Sequence, residues 1–182
     1  MTDDERLDLL KWHIARYDNL RVSTSNRASV LLSGNAIILT GTALLAGVVL
    51  DRHTGEYSSV PVYLVGGGAL VTLAFTVISV MSCVGAIAAR RTIRAKGHRD
   101  ISLRHLFNWG DTIRAAGNFP ALLDYVKSMT TEQAIESAAA ELWTDILQHA
   151  GRHKYLRRGL ASFRYSVIAF LALIALAAFA LQ

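Results

Sequence analysis

Three uninterrupted apolar stretches, residues 28–50, 60–89 and 165–181, contain no Asp, Glu, Lys or Arg. Nothing else in the chain restricts its fold so tightly, because a run of about 18 or more apolar residues is best accommodated in a bilayer. The first stretch has 23 residues, about 34 Å of helix at roughly 1.5 Å per residue, enough to cross with some tilt. The second has 30 residues and must tilt or project beyond the lipid. The third has 17, near the lower limit, but Val167, Ile168, Phe170, Leu171, Leu173, Ile174, Leu176 and Phe179 keep it strongly apolar. The expected class is all-α: an integral membrane protein with three transmembrane helices and a cytoplasmic helical bundle continuous with them.

The charge distribution orients these spans. Residues 1–27 carry five Lys/Arg, and residues 90–164 carry 13 Lys/Arg against seven Asp/Glu. The short segment 51–59 has one Arg, one Asp and one Glu. Basic residues near span ends stay on the cytoplasmic side, and Arg27, Arg90, Arg91, Arg94, Arg157, Arg158 and Arg164 all fall there. This predicts a cytoplasmic N-terminal helix (1–27), a first transmembrane helix (28–50), an outer loop (51–59), a second span (60–89), a cytoplasmic helical region (90–164) and a third span (165–181), with Gln182 outside. The sequence pI of 9.7 then reflects a basic girdle facing anionic lipid, at about 1 kcal/mol per basic residue near the surface. It does not indicate nucleic acid, since the positive residues cluster near the membrane and not along one exposed helix face. The acidic start (Asp3, Asp4, Glu5) and the long polar lead argue against a cleaved signal peptide. The single cysteine, Cys83, lies in the second span and has no partner within the chain for a disulfide.

Leu7, Leu10, Ile14, Tyr17 and Arg21 recur at helical spacing, and no Pro or Gly separates this segment from the first span. One long helix is expected. The second span should end near Gly97-His98-Arg99-Asp100. A short helix over 102–116 would carry Leu106, Phe107 and Trp109. Gly117-Asn118-Phe119-Pro120 reads as a stop and a start, with Pro120 in a first turn where its missing N–H is harmless. Thr130 and Gln133 have capping-box spacing. From Thr131 onward no proline occurs. Ile135, Ala139, Leu142, Ile146, His149, His153, Leu156, Leu160, Phe163, Val167, Phe170 and Ile174 alternate steps of four and three. That is a heptad seam running from the cytoplasmic region into lipid, able to transmit a rearrangement, with Gly151 and Gly159 as weak points.

Several polar residues admit two readings. His149 and His153 sit one turn apart on the seam, as a ligand or metal contact or as a polar layer fixing register. Asn35, seven residues into the first span, is either interhelical glue through a small-residue contact or a pore-lining amide. Thr40, Thr42, Thr72, Thr76, Ser79 and Ser82 are open to the same two readings. Gly66-Gly67-Gly68 has no preceding strand and no following GK[ST], so it favours close helix packing or a kink over a phosphate loop. Arg90, Arg91, Arg94, Lys154, Arg157 and Arg158 are the anion-binding candidates. Arg grips phosphate in a bidentate fork, and Trp109 or Tyr155 could stack on a base. The competing role is headgroup anchoring. No HExxH, CxxC, Walker motif or nucleophile elbow occurs, so an enzyme is not expected. The absence of a carboxylate or Lys from the spans disfavours an ion-coupled transporter.

The segment Arg21-Val-Ser-Thr-Ser-Asn-Arg-Ala-Ser-Val-Leu-Leu-Ser-Gly-Asn35 resembles the opening of the Pycsar transmembrane effectors. There a basic residue and alanine at the inner end of the first span precede a Leu-Leu pair and a small polar residue, here Arg27, Ala28, Leu31, Leu32 and Asn35. The arginine-rich exit of the second span, His105-Leu106-Phe107 with Phe119 downstream, and Arg152-His153-Lys154-Tyr155-Leu156 extend the likeness over most of the chain. The family usually has an acid and a lysine before that alanine, where this chain has Ser25 and Arg27. The resemblance implies a bacterial antiphage effector that senses a cyclic pyrimidine mononucleotide, cCMP or cUMP, made by a companion cyclase. It would impair inner-membrane integrity and cause growth arrest or cell death.

Together these readings predict a nucleotide-gated homo-oligomer of the bacterial inner membrane. The candidate ligand residues are Arg27, Arg90, Arg91, Arg94, Trp109, Lys154, Tyr155 and Arg158. His149 and His153 form a gating seam, Asn35 is the intramembrane polar residue, and no cofactor or metal is expected. The rival is a non-sensing membrane scaffold or plasmid-transfer accessory that uses the same basic face for lipid or a partner.

Overall fold

The structure is a computed structural model that describes residues 1–52, 60–88, 112, 113 and 116–180. The fold is all-α. Among the described residues four helices follow in order: α1 (Asp3–Arg52), α2 (Val60–Ile87), α3 (Phe119–Ser128) and α4 (Thr131–Ala180). Among the described residues there is no strand. Helices α1, α2 and α4 are each long and apolar enough to cross a membrane, so the chain is a multi-pass membrane protein. The second-span exit with Arg90, Arg91 and Arg94, the break near Gly97, and the expected helix with Trp109 lie outside the described residues.

Local chemistry sets the helix starts. Thr2 and Glu5 cap α1 reciprocally: the Thr2 N–H donates to Glu5 Oε2 at 2.7 Å, and the Glu5 N–H donates to Thr2 Oγ1 at 3.3 Å. Asp3, Asp4 and Glu5 place negative charge at the positive end of the helix dipole. Before α3, Gly117 takes a φ of 67°, a left-handed turn that glycine adopts without strain. Asn118 Oδ1 then accepts from the Ala121 N–H at 2.9 Å, and Pro120 occupies the first turn. Thr130 and Gln133 form the expected box ahead of α4, with bonds of 3.0 and 3.2 Å. Asn118→Ala should weaken α3 by about 1 kcal/mol. Amide exchange of residues 121–126 should quicken about fivefold, with α4 unaffected.

The described residues divide into two compact units. Unit 1 comprises Met1–Ser23 and Ala89–Gly151. On α4 it buries Ser137, Ala138, Ala140, Glu141 and Thr144. The Tyr17 ring meets His149 edge-on at 5.8 Å. Arg16 lies over the Trp12 ring at 5.4 Å, while α3 buries no residue fully.

Unit 2 comprises Thr24–Ala88 and Arg152–Gln182, and holds the apolar stretches. Its contacts fix the topology. Gly34 faces Phe163 and Gly41 faces Phe170, so α1 and α4 run parallel. Gly85 faces Tyr155 and Gly68 faces Leu173, so α2 runs antiparallel to α4. At one end Ala28, Cys83, Ala86 and Leu156 form an apolar cluster. At the other end Val49, Val65, Leu173 and Ala177 form a second.

The buried line on α4 differs from the seam of bulky residues. Leu160 and Ile174 turn outward at 39% and 40% exposure, and His153 is exposed. Leu156 of the seam is buried, and with it Arg152, Gly159, Ser162, Ser166, Leu173 and Ala177, which lie off the seam. Phe163 and Phe170 stay half-buried because Gly34 and Gly41 leave room for their rings. The physical reason is the solvent. Lipid solvates Leu and Ile as well as a protein interior does, so small residues that let backbones approach win the contact.

Candidate functional site

Two groups of residues carry the chemistry, both within unit 2. The first lies at the end marked by the Ala28–Leu156 cluster. Arg27 immediately precedes Ala28 and is exposed. Lys154 and Arg158 lie within one turn of Leu156 and are exposed too, as are Arg157 and Arg164. Tyr155 packs against this cluster. Its ring lies on Gly85, where an added Cβ would approach the ring to 3.0 Å. Arg27, Lys154, Tyr155 and Arg158 are thus brought to one level, with three of them presenting cationic heads outward. Such heads suit a phosphate, whether on a nucleotide or a lipid.

Arg152 was not singled out as a site residue from the sequence, yet it is only 7% exposed. A buried arginine demands compensating partners. The signal lay in its register: it is four residues before Leu156 and seven before Gly159 on the small-residue face. Of the two seam histidines, His149 is half-buried beside Tyr17 in unit 1, and His153 is exposed in unit 2.

The second group is a polar layer between the two apolar clusters. Asn35 is 1% exposed. Its Nδ2 donates to Leu31 O at 2.8 Å and to Ser79 Oγ at 2.9 Å. Ser79 in turn donates to the Gly159 carbonyl at 3.0 Å. One directed relay therefore ties all three helices. A second cross-link joins Thr76 and Ser166 at 2.7 Å. Thr76 spends its hydrogen on Thr72 O at 2.8 Å, so Ser166 is the donor in that pair. Each such interhelical bond contributes about 0.6 kcal/mol, with an upper range near 1.7. Thr42, Thr72 and Ser82 donate to carbonyls one turn back on their own helices. Thr40 instead faces outward. Ser162 and Ser166 complete the buried polar set from α4; their place on the seam was hidden by bulkier neighbours.

No curated protein and no solved structure matches the chain. The PycTM profile, described as the Pycsar effector protein domain, matches residues 9–182, spanning α1 through α4. With three membrane-crossing helices and a match over nearly its whole length, the chain belongs to the Pycsar effector family of antiphage membrane effectors.

Proposed function

We propose that this chain senses a cyclic pyrimidine mononucleotide, cCMP or cUMP, at the cytoplasmic face of a bacterial inner membrane and then impairs that membrane, halting growth before phage can spread. The family match is the observation that carries the reading. It implies a companion cyclase as the source of the signal. The basic residues favour an orientation with the N-terminus and residues 90–164 inside and the C-terminus outside. Arg27, Lys154 and Arg158, exposed at one level, are suited to take the phosphate. Arg90, Arg91 and Arg94 follow directly after the second span in sequence and would add to the same positive field, with Trp109 or Tyr155 beside the base. His149 and His153 would bias the packing of α4, and the effector would act as a homo-oligomer. A ligand shifts such an equilibrium only by its differential affinity for the two packings.

Expression with and without a pyrimidine cyclase, read by membrane potential, tests this. Depolarisation should appear only with the cyclase. Lys154→Ala and Arg158→Ala each remove a charge-assisted hydrogen bond worth about 1.5–3 kcal/mol. The nucleotide concentration for half-response should rise roughly 10- to 100-fold in each. Depolarisation independent of the cyclase, or unchanged sensitivity in both variants, would count against nucleotide sensing or the phosphate contact respectively.

A further inference from the structure

We infer that the aqueous path opened by this effector runs through the three-helix seam of each subunit, beginning with a water held at Asn35; the inference rests on the membrane-impairing function proposed above. Between its two apolar clusters, unit 2 is polar within and apolar without. Asn35, Thr72, Thr76, Ser79, Ser162 and Ser166 are buried, while Ile37, Leu44, Leu70 and Ile168 point outward.

Hydroxyls alone would be ordinary interhelical glue. Asn35 goes further. Both hydrogens of its amide nitrogen are used, on Leu31 O and Ser79 Oγ. Its Oδ1 is buried and has no hydrogen-bond partner. A bare buried acceptor costs about 1–3 kcal/mol, and a donating water recovers that where two or more polar partners converge. From this level the hydroxyls of Ser82, Ser79, Thr76 and Thr72 are spaced about one turn apart along α2, over roughly 15 Å. That is about half of a hydrocarbon core roughly 30 Å thick.

Both ends of this polar stretch are closed by apolar plugs. Ala28, Cys83, Ala86 and Leu156 form one, and Val49, Val65, Leu173 and Ala177 the other. Apolar constrictions of this kind stop water by dewetting and admit it when they widen. Parting the helices enough to wet both plugs would join two aqueous phases through a lining of hydroxyl and amide oxygens. Such a lining suits water and small cations. The alternative path lies between copies, along the exposed small residues Ser29, Ser33 and Thr40 of α1. The hydroxyls of Ser29 and Ser33 donate to their own helix at 3.1 and 3.3 Å, as those of Thr72, Thr76 and Ser82 do in the seam, so the buried, unpartnered Asn35 Oδ1 is what separates the two routes. The inner seam is therefore favoured.

Thiol accessibility separates these routes. Full-length protein in vesicles would be exposed to cCMP or cUMP and to a charged, impermeant methanethiosulfonate, with ion leak and mass shift read together. In a Cys83→Ala background, Thr76→Cys and Ser166→Cys report the seam, and Thr40→Cys reports the outer face. The unsubstituted chain supplies a reporter without mutation, because Cys83 is fully buried in one plug. If the open fraction goes from about 1% to about 99%, seam labelling should accelerate on the order of 100-fold with nucleotide, at Cys83 included, with Thr40→Cys unchanged. Labelling that rises only at Thr40→Cys places the path between copies and overturns the inference. Leak without labelling at any position means bilayer disruption and overturns it too. An unsubstituted chain that leaks with neither nucleotide overturns the parent function, and the path falls with it.

Discussion

Gly159→Leu is expected to prevent the three spans from assembling. A Cβ on Gly159 would stand 3.0 Å from Cys83 Sγ and 3.5 Å from both the Ser79 carbonyl oxygen and Ser82 Cβ. The carbonyl belongs to a helix backbone and cannot swing aside. A leucine must therefore push α4 off α2, breaking the bond from Ser79 to the Gly159 carbonyl and the Thr76–Ser166 pair beyond it. Overpacking of this kind costs about 1–3 kcal/mol or more, with the lost hydrogen bonds in addition. Thermal midpoint in detergent and the amount of inserted protein should both drop sharply. Gly151→Ala is the matched control, since nothing lies within 4 Å of a Cβ there. It should raise stability by up to about 1 kcal/mol, because glycine is a poor residue for a helix interior. Equal effects from the two substitutions would show that the α2–α4 approach is looser than described.

Asn35→Asp is expected to leak without nucleotide. A carboxylate at the centre of a span costs about 2.5–3.5 kcal/mol in lipid; at position 35, about a third of the way in, the cost approaches that figure, and the nearest relief is water drawn into the seam. Dye entry in cells without a cyclase should climb on induction of this variant. Asn35→Leu keeps the size and removes the polar group. It should stay tight, lose about 0.6–1.7 kcal/mol of helix association, and respond more weakly to the nucleotide. An aspartate variant that inserts normally and remains as tight as the unsubstituted chain would speak against a hydratable seam.

The three crossings were legible because charge-free runs of 23, 30 and 17 residues need no tertiary information to interpret. The continuity of α1 and α4 was legible for a similar reason, since no proline interrupts either. The facing of α4 was not. Heptad reasoning places the largest side chains at the contact, a rule that depends on water expelling them. In lipid that drive is absent, and Gly159, Ser162 and Ser166 are buried while Phe163 and Val167 are only half-buried and Leu160 is exposed. Arg152 was passed over in favour of Lys154 and Arg158 because its burial depends on that same register. Asn35 was recognised as two-sided, but nothing local could tell that its oxygen would be left bare. That required Ser79 from α2 and Gly159 from α4 to be placed around it.

The lack of any Asp, Glu, Lys, Arg or His in the three apolar stretches has an electrical consequence. Moving one elementary charge across the membrane field yields about 2.3 kcal/mol per 100 mV; these segments offer no such charge to move. On the proposed function, voltage swings of a resting cell would not arm these segments, and the loss of voltage that follows opening would supply no force on them to reseal the membrane; closure would then depend on withdrawal of the nucleotide.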